Sequence, residues 1–263
     1  GQIPFIIEHQ KKNMTTFIHH LCNEAWFAFH LKRRYLLHTI MGYLMLIFIF
    51  AGLIRADLAA SQKSLDTGAA DSLIIGFMVW LFAALAYSCT SKDVSEFMEA
   101  RSIEHAFMAP VPFVYILCVR VFIQILFSIA TFIFMVFVMH LILGERSRIE
   151  FTSLFFACLL AAPSLLGVGL AVSGILLFIK RGEVLLAFTF MGILGLVALP
   201  AYPANAWAFL PYSLGAAAAR AAGNGEQIAG ATFWLISMNS AAYLFLGCIV
   251  FSFMQRHVRA KGI

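Results

Sequence analysis

Residues 113–143 read FVYILCVRVFIQILFSIATFIFMVFVMHLIL, and Arg120 is the one Lys, Arg, Asp or Glu among them. As an α-helix rising 1.5 Å per residue, such a run reaches roughly 45 Å, whereas the hydrocarbon core of a bilayer is about 30 Å thick. Within one helix every backbone N–H and C=O finds its partner inside the segment, so hydrocarbon can act as the solvent. The run predicts a membrane-spanning helix that tilts or projects beyond the bilayer.

Outward from it, further apolar runs lie at 39–54, 72–90, 151–179, 184–199 and 230–254, which makes six predicted spans. The run at 184–199 is short and stops at Pro200. Composition agrees: 62% of the 263 residues are hydrophobic, 12% are charged, and the mean hydropathy is +0.90. Soluble domains carry roughly 45–50% apolar and about 25% charged residues, so this excess cannot be hidden in one aqueous core. The expectation is one all-α integral membrane domain over 1–263.

The net charge of +5 would suggest nucleic acid in a soluble protein, but nothing in the chain resembles a nucleic-acid module, and the placement of the charges is more informative. With the N-terminus inside, thirteen of the eighteen Lys and Arg fall on the inner side, including Lys32, Arg33, Arg34, Lys92, Arg101, Lys180, Arg181, Arg256 and Arg259. Arg55, Lys63, Arg146, Arg148 and Arg220 fall outside. The positive-inside rule then predicts both termini on the cytoplasmic side of a cytoplasmic membrane.

Ahead of the first span, residues 14–37 place Phe17, Ile18, Leu21, Ala25 and Phe29 at helical spacing, and the segment ends in a basic cluster. This predicts an amphipathic helix lying in the interface against membrane lipids. No cleavable signal peptide is expected in residues 1–37, and Gly1 and Met14 both stay open as the native start. Cys22, Cys89, Cys118, Cys158 and Cys248 are scattered singly and read as small buried hydrophobes rather than metal ligands. Residues 200–229 are broken by Pro200, Pro203 and Pro211 and crowded by Tyr202, Trp207, Phe209 and Tyr212. Too apolar for water and too broken to span, they predict a re-entrant outer segment.

Between the second and third spans, residues 93–110 form a candidate cytoplasmic helix. Asp93 or Ser95 can cap it, Phe97, Ile103, Phe107 and Met108 gather near one face, and Pro110 and Pro112 end it. An exposed apolar face with acidic flanks suits a partner protein or the membrane surface.

The order Glu99, Ser102, Ile103, Glu104, Phe107, Met108, Pro110, Val111 resembles the segment after the second span in membrane subunits of type V ABC exporters, the ABC-two membrane-protein family. Those proteins carry Glu, Gly-Thr-Leu-Glu, apolar residues and Thr-Pro there. This chain departs at Arg101, where the family has Gly, and at Ala109, where it has Thr or Ser. The resemblance extends to the interfacial helix, six spans and broken outer segment. It implies that 93–110 is a coupling helix seated on a separate ABC ATPase subunit through Glu99, Ser102, Glu104, Met108 and Pro110. It also implies two ATPase copies holding ATP and Mg, a second permease copy or paralogue, and a bacterial inner membrane. No G-x-x-x-x-G-K-[ST] occurs, so the chain itself binds no nucleotide by that motif and is not expected to be an enzyme.

By the same resemblance the transport path lies between the second and fifth spans at a dimer interface, with Phe77, Trp80, Leu81, Phe188, Met191 and Leu194 as candidate pathway residues. The scarcity of ionisable groups in the spans favours an amphipathic or hydrophobic cargo such as a peptide, lipid or drug-like molecule. Ala171-Val172-Ser173-Gly174 approximates an intramembrane protease motif but lacks the first glycine. The run Gly167 to Gly174 reads instead as a helix-packing face. A secondary carrier or a non-transporting scaffold stays open as the alternative.

Overall fold

The computed structural model describes residues 67–99, 113–143, 149–178 and 183–261, together with positions 23, 26, 29, 30, 33, 34, 37, 41, 42, 44–49, 51, 52 and 55. Among the described residues the chain is helical, with no strand. Its continuous elements are α1 (Thr67–Glu99), α2 (Phe113–Leu143), α3 (Phe151–Phe178), α4 (Glu183–Ala198), a 3-10 turn (Ala206–Phe209), α5 (Ser213–Gly223) and α6 (Gly230–Lys261).

Four helices are long and apolar enough to cross a membrane: Asp71–Ser91, Val121–Val138, Phe151–Leu177 and Gly230–Val258. The shorter apolar helix Val184–Ala198 stands beside them. Large side chains such as Phe137, Phe188, Trp234, Phe245 and Phe253 are exposed, an apolar surface suited to lipid rather than water. The described positions from 23 to 55 are helical, and of these Leu46 and Ile47 pack against the core. The rest of the expected interfacial helix and first span lies outside the described residues.

Two of the spans are central and two peripheral. The window in α1 is 72% buried and that in α3 56%, against 22% for each of α2 and α6. The central pair carries the small residues: Ala83 and Ala86 on α1, and Ala157, Ala161, Gly167, Gly169 and Gly174 on α3. Lipid tails are as apolar as leucine, so helices in hydrocarbon associate by close van der Waals fit, which small residues permit.

The closest approach joins α3 to α6. A Cβ added at Gly167 would overlap the Tyr243 backbone carbonyl, and one at Gly247 would overlap the backbone of Gly167. Two residues on, on the other side of α3, a Cβ at Gly169 would overlap the Thr90 hydroxyl of α1. A Cβ at Gly174 would lie 3.0 Å from Phe251 Cα. The inward stripe of α6 follows at steps of three, four and seven residues through Thr232, Ile236, Ser240, Gly247, Phe251, Gln255 and Val258. At the same level Ser173 Oγ donates to the Thr90 carbonyl of α1 at 3.3 Å. The hydroxyl is fully buried in this contact, so Ser173 belongs to helix packing.

On the other side of α1, the rings of Phe82, Phe132 and Phe155 bring α1, α2 and α3 together with centroids 5.0 to 6.0 Å apart. Cys89 and Cys158 are buried as expected of small hydrophobes, whereas Cys248 is exposed on the outward face of α6. The side chains of Cys22 and Cys118 lie outside the described residues.

Gly167→Ala and Gly247→Ala are expected to destabilise the protein by about 1–3 kcal/mol or more, the usual cost of forcing extra carbon into a close contact. Gly192→Ala on α4, where nothing lies within 4 Å, is the control and should not destabilise, and by helix propensity it should gain up to about 1 kcal/mol. Thermal unfolding in detergent micelles, followed by tryptophan fluorescence, measures all three.

Candidate functional site

Short helix α4 sets the geometry of the site. Its sixteen residues reach about 24 Å at 1.5 Å per residue, less than the roughly 30 Å of hydrocarbon. The chain then runs on through irregular backbone, whose carbonyls have no helical N–H to meet them. In hydrocarbon each such group needs a donor from elsewhere.

The donors are side chains, and they come from the segment itself, from α5 and from α6. Asn205 Nδ2 donates to Pro200 O at 2.7 Å, and its Oδ1 accepts from the Trp207 backbone N–H at 3.0 Å. Asn239 Nδ2 donates to Ala208 O at 3.3 Å and to Leu210 O at 3.1 Å. The Tyr243 hydroxyl donates to Phe209 O at 2.9 Å. The Ser213 hydroxyl reaches Trp207 O and Leu210 O. Arg220 Nη2 donates to Leu199 O, just past the end of α4, at 2.6 Å. A cation there also meets the negative end of the α4 dipole. Partial burial lowers the Arg220 pKa from its ordinary value, and a guanidinium stays protonated at neutral pH nonetheless.

After this loop α5 turns back into the bundle and is almost wholly buried. Its sequence, SLGAAAARAAG, supplies a smooth cylinder that fits between larger helices. Gly215 meets Ala161 of α3, and Gly223 meets Ile75 of α1. Tyr212 starts the helix in a left-handed conformation, φ 67°, which a large side chain adopts at some cost. Its buried hydroxyl donates to Val79 O of α1 at 3.1 Å and holds the turn in place. At the other end of α5, the Glu150 N–H donates to Gly223 O at 3.2 Å, which ties α5 to the start of α3. The segment 200–229 is therefore a hydrogen-bonded plug at one end of the bundle.

The candidate pathway residues separate. Phe77 and Trp80 sit partly buried on α1 with ring centroids 5.8 Å apart, and Trp80 meets Phe190 of α4 edge-on at 6.1 Å. Leu81 is 2% exposed and belongs to the core. Phe188, Met191 and Leu194 stand outside the inward stripe of α4, at 77%, 66% and 51% exposure. The structure brings together Phe77, Trp80 and Phe190, and leaves Phe188, Met191 and Leu194 on the outer surface. Phe190 belongs to the spacing Leu186, Phe190, Ile193, Val197, the inward stripe of α4.

Of the coupling residues, Glu99 is the last residue of α1. The apolar window of α1 closes at Ser91, and the eight residues to Glu99 carry the helix about 12 Å further at 1.5 Å each. That extension includes Lys92, Asp93, Glu96 and Glu99, a composition for water. Ser102, Glu104, Met108 and Pro110 lie outside the described residues. Among the described residues no group of three His, Cys, Asp or Glu could hold a metal ion.

No family model, curated protein or solved structure matches this chain.

Arg220→Met is expected to lower stability by about 2 kcal/mol, the scale of a hydrogen bond from a charged donor, and Tyr212→Phe by about 1 kcal/mol. Arg220→Lys should recover part of the loss by restoring a cation near Leu199 O. Detergent-micelle denaturation curves read the differences, and wild-type stability in Arg220→Met would dismiss the capping role.

Proposed function

We propose that this chain is the permease subunit of an ATP-driven type V ABC exporter that moves an amphipathic or hydrophobic cargo, such as a peptide, lipid or drug-like molecule, out across a bacterial inner membrane. In this reading it has six spans and cytoplasmic termini, pairs with a second permease copy or paralogue, and receives energy from two separate ATPase subunits carrying ATP and Mg. The chain contributes no catalytic group of its own.

The observation that carries the reading is the continuation of α1 as one helix from its apolar window into the charged stretch ending at Glu99. A rigid rod from membrane to water, continuous with the sequence Glu99, Ser102, Glu104, Met108, Pro110, is the mechanical part such an exporter needs. Closure of the ATPases on ATP would push on the segment after Glu99, and the force would pass along α1 to its contact with α4 at Trp80 and Phe190. That contact is made by aromatic rings packed edge to face.

Support for an apolar cargo comes from charge. The four spanning windows hold Asp71 and Arg256, both near window ends, as their Asp, Glu, Lys or Arg. Ionisable groups at membrane depth cost several kcal/mol and persist mainly where ion or proton pathways need them.

A mild-detergent pull-down with mass spectrometry of co-purifying proteins tests the proposal. A P-loop ATPase should come down with the chain, and Glu104→Lys should abolish cargo-stimulated ATPase activity while membrane insertion stays normal. Recovery of the chain without an ATPase under gentle conditions would reject the exporter reading in favour of a secondary carrier or scaffold. Normal stimulation in Glu104→Lys would reject the coupling assignment alone.

A further inference from the structure

Beneath the ring cluster of Phe82, Phe132 and Phe155, the helices α1, α2 and α3 enclose a cavity of about 110 Å³. Its walls include Leu85 and Ala86 of α1, Ile125 and Ile129 of α2, and Ala162 and Pro163 of α3. All of these positions fall inside the membrane-spanning windows.

The polar groups at its wall are engaged. Cys89 Sγ lies 3.2 Å from Leu85 O, to which it donates, and shares a hydrogen bond of 3.2 Å with Ser128 Oγ. A water molecule needs two to four polar partners, and apolar cavities without them stay dry. The cavity is not sealed either: Leu85, Ile125 and Ile129 are only partly buried, so it opens sideways between helices. At this depth the surrounding solvent is hydrocarbon. An open apolar space next to hydrocarbon is filled by hydrocarbon, because every unfilled wall atom forfeits dispersion contacts. In size, a dry cavity of about 150 Å³ takes a benzene ring, so this one fits a few methylenes of a linear chain.

We propose that this cavity is a lipid site, which takes the end of one acyl chain of a bilayer phospholipid entering between α2 and α3. The ring cluster stops the chain at one end, and the Cys89–Ser128 pair marks the side wall. The site stands on the packing of three spans and is independent of the exporter reading.

The test places the full chain in phosphatidylethanolamine and phosphatidylglycerol vesicles containing a trace of phospholipid with a diazirine near the end of one acyl chain. After irradiation, peptide mass spectrometry should find label enriched several-fold on 82–89, 125–129 and 159–166 over the exposed α6 positions Phe245, Ile249 and Phe253. Ala162→Leu, which fills the cavity, should remove that enrichment and leave α6 labelling unchanged. Ala86→Ile is the second filling variant should the first not fold. Uniform labelling of cavity and α6, or enrichment that survives a folded filling variant, overturns the proposal. So does enrichment obtained with a diazirine-bearing free fatty acid and not with the phospholipid, which would make the occupant a free amphiphile.

Discussion

Backbone carbonyls that leave regular helix must find donors, and this requirement governs the part of the molecule around α5. The chain leaves regular helix at Leu199 and regains it at Ser213, with one short 3-10 turn between. Over that interval the carbonyls of Leu199, Pro200, Trp207, Ala208, Phe209 and Leu210 each receive a side-chain donor. Those donors sit on α5, on α6 and in the loop, so satisfying the loop also fixes where α5 and α6 stand. The tertiary arrangement at this end follows from a local deficit in backbone pairing.

Along the rest of the bundle, shape takes over from hydrogen bonding. Helix α3 is buried on most of its circumference, and it can be central because its contact faces are glycine, alanine and serine. The backbone approach at Gly167 and Gly247 lets α6 lie directly along it. On the far side, where α2 presents phenylalanine and isoleucine, approach is looser: the rings of Phe132 and Phe155 make contact, and space remains beneath them. Residue size thus accounts for tight packing on one flank of α3 and a cavity on the other.

How much of this was legible in the sequence depends on which contrast each feature requires. Length and hydropathy separate lipid from water, so the runs at 72–90, 113–143, 151–179 and 230–254 stood out at once, and the structure has long apolar helices there. Hydropathy does not separate lipid from protein, because both faces of such a helix are apolar. That is why hydropathy could not tell Phe188, Met191 and Leu194, which are exposed, from Phe190, which meets Trp80. It is also why Cys248 was counted among the buried thiols. Where a size contrast existed, as in Gly167 to Gly174, the reading as a packing face agrees with the close approach seen at Gly167, Gly169 and Gly174. The partners of Asn239 and Tyr243 were invisible because they are backbone carbonyls some thirty residues away, which no side-chain pattern records.

The short length of α4 connects these observations. Where α4 ends, Leu199 O has no helical N–H to meet it, and Arg220 supplies the donor from α5. Along its length α4 is held to α1 by ring contact and by the apolar stripe of Leu186, Phe190, Ile193 and Val197. Its anchorages thus differ in kind: a charged hydrogen bond at the α5 end, and ring and aliphatic contact along α1.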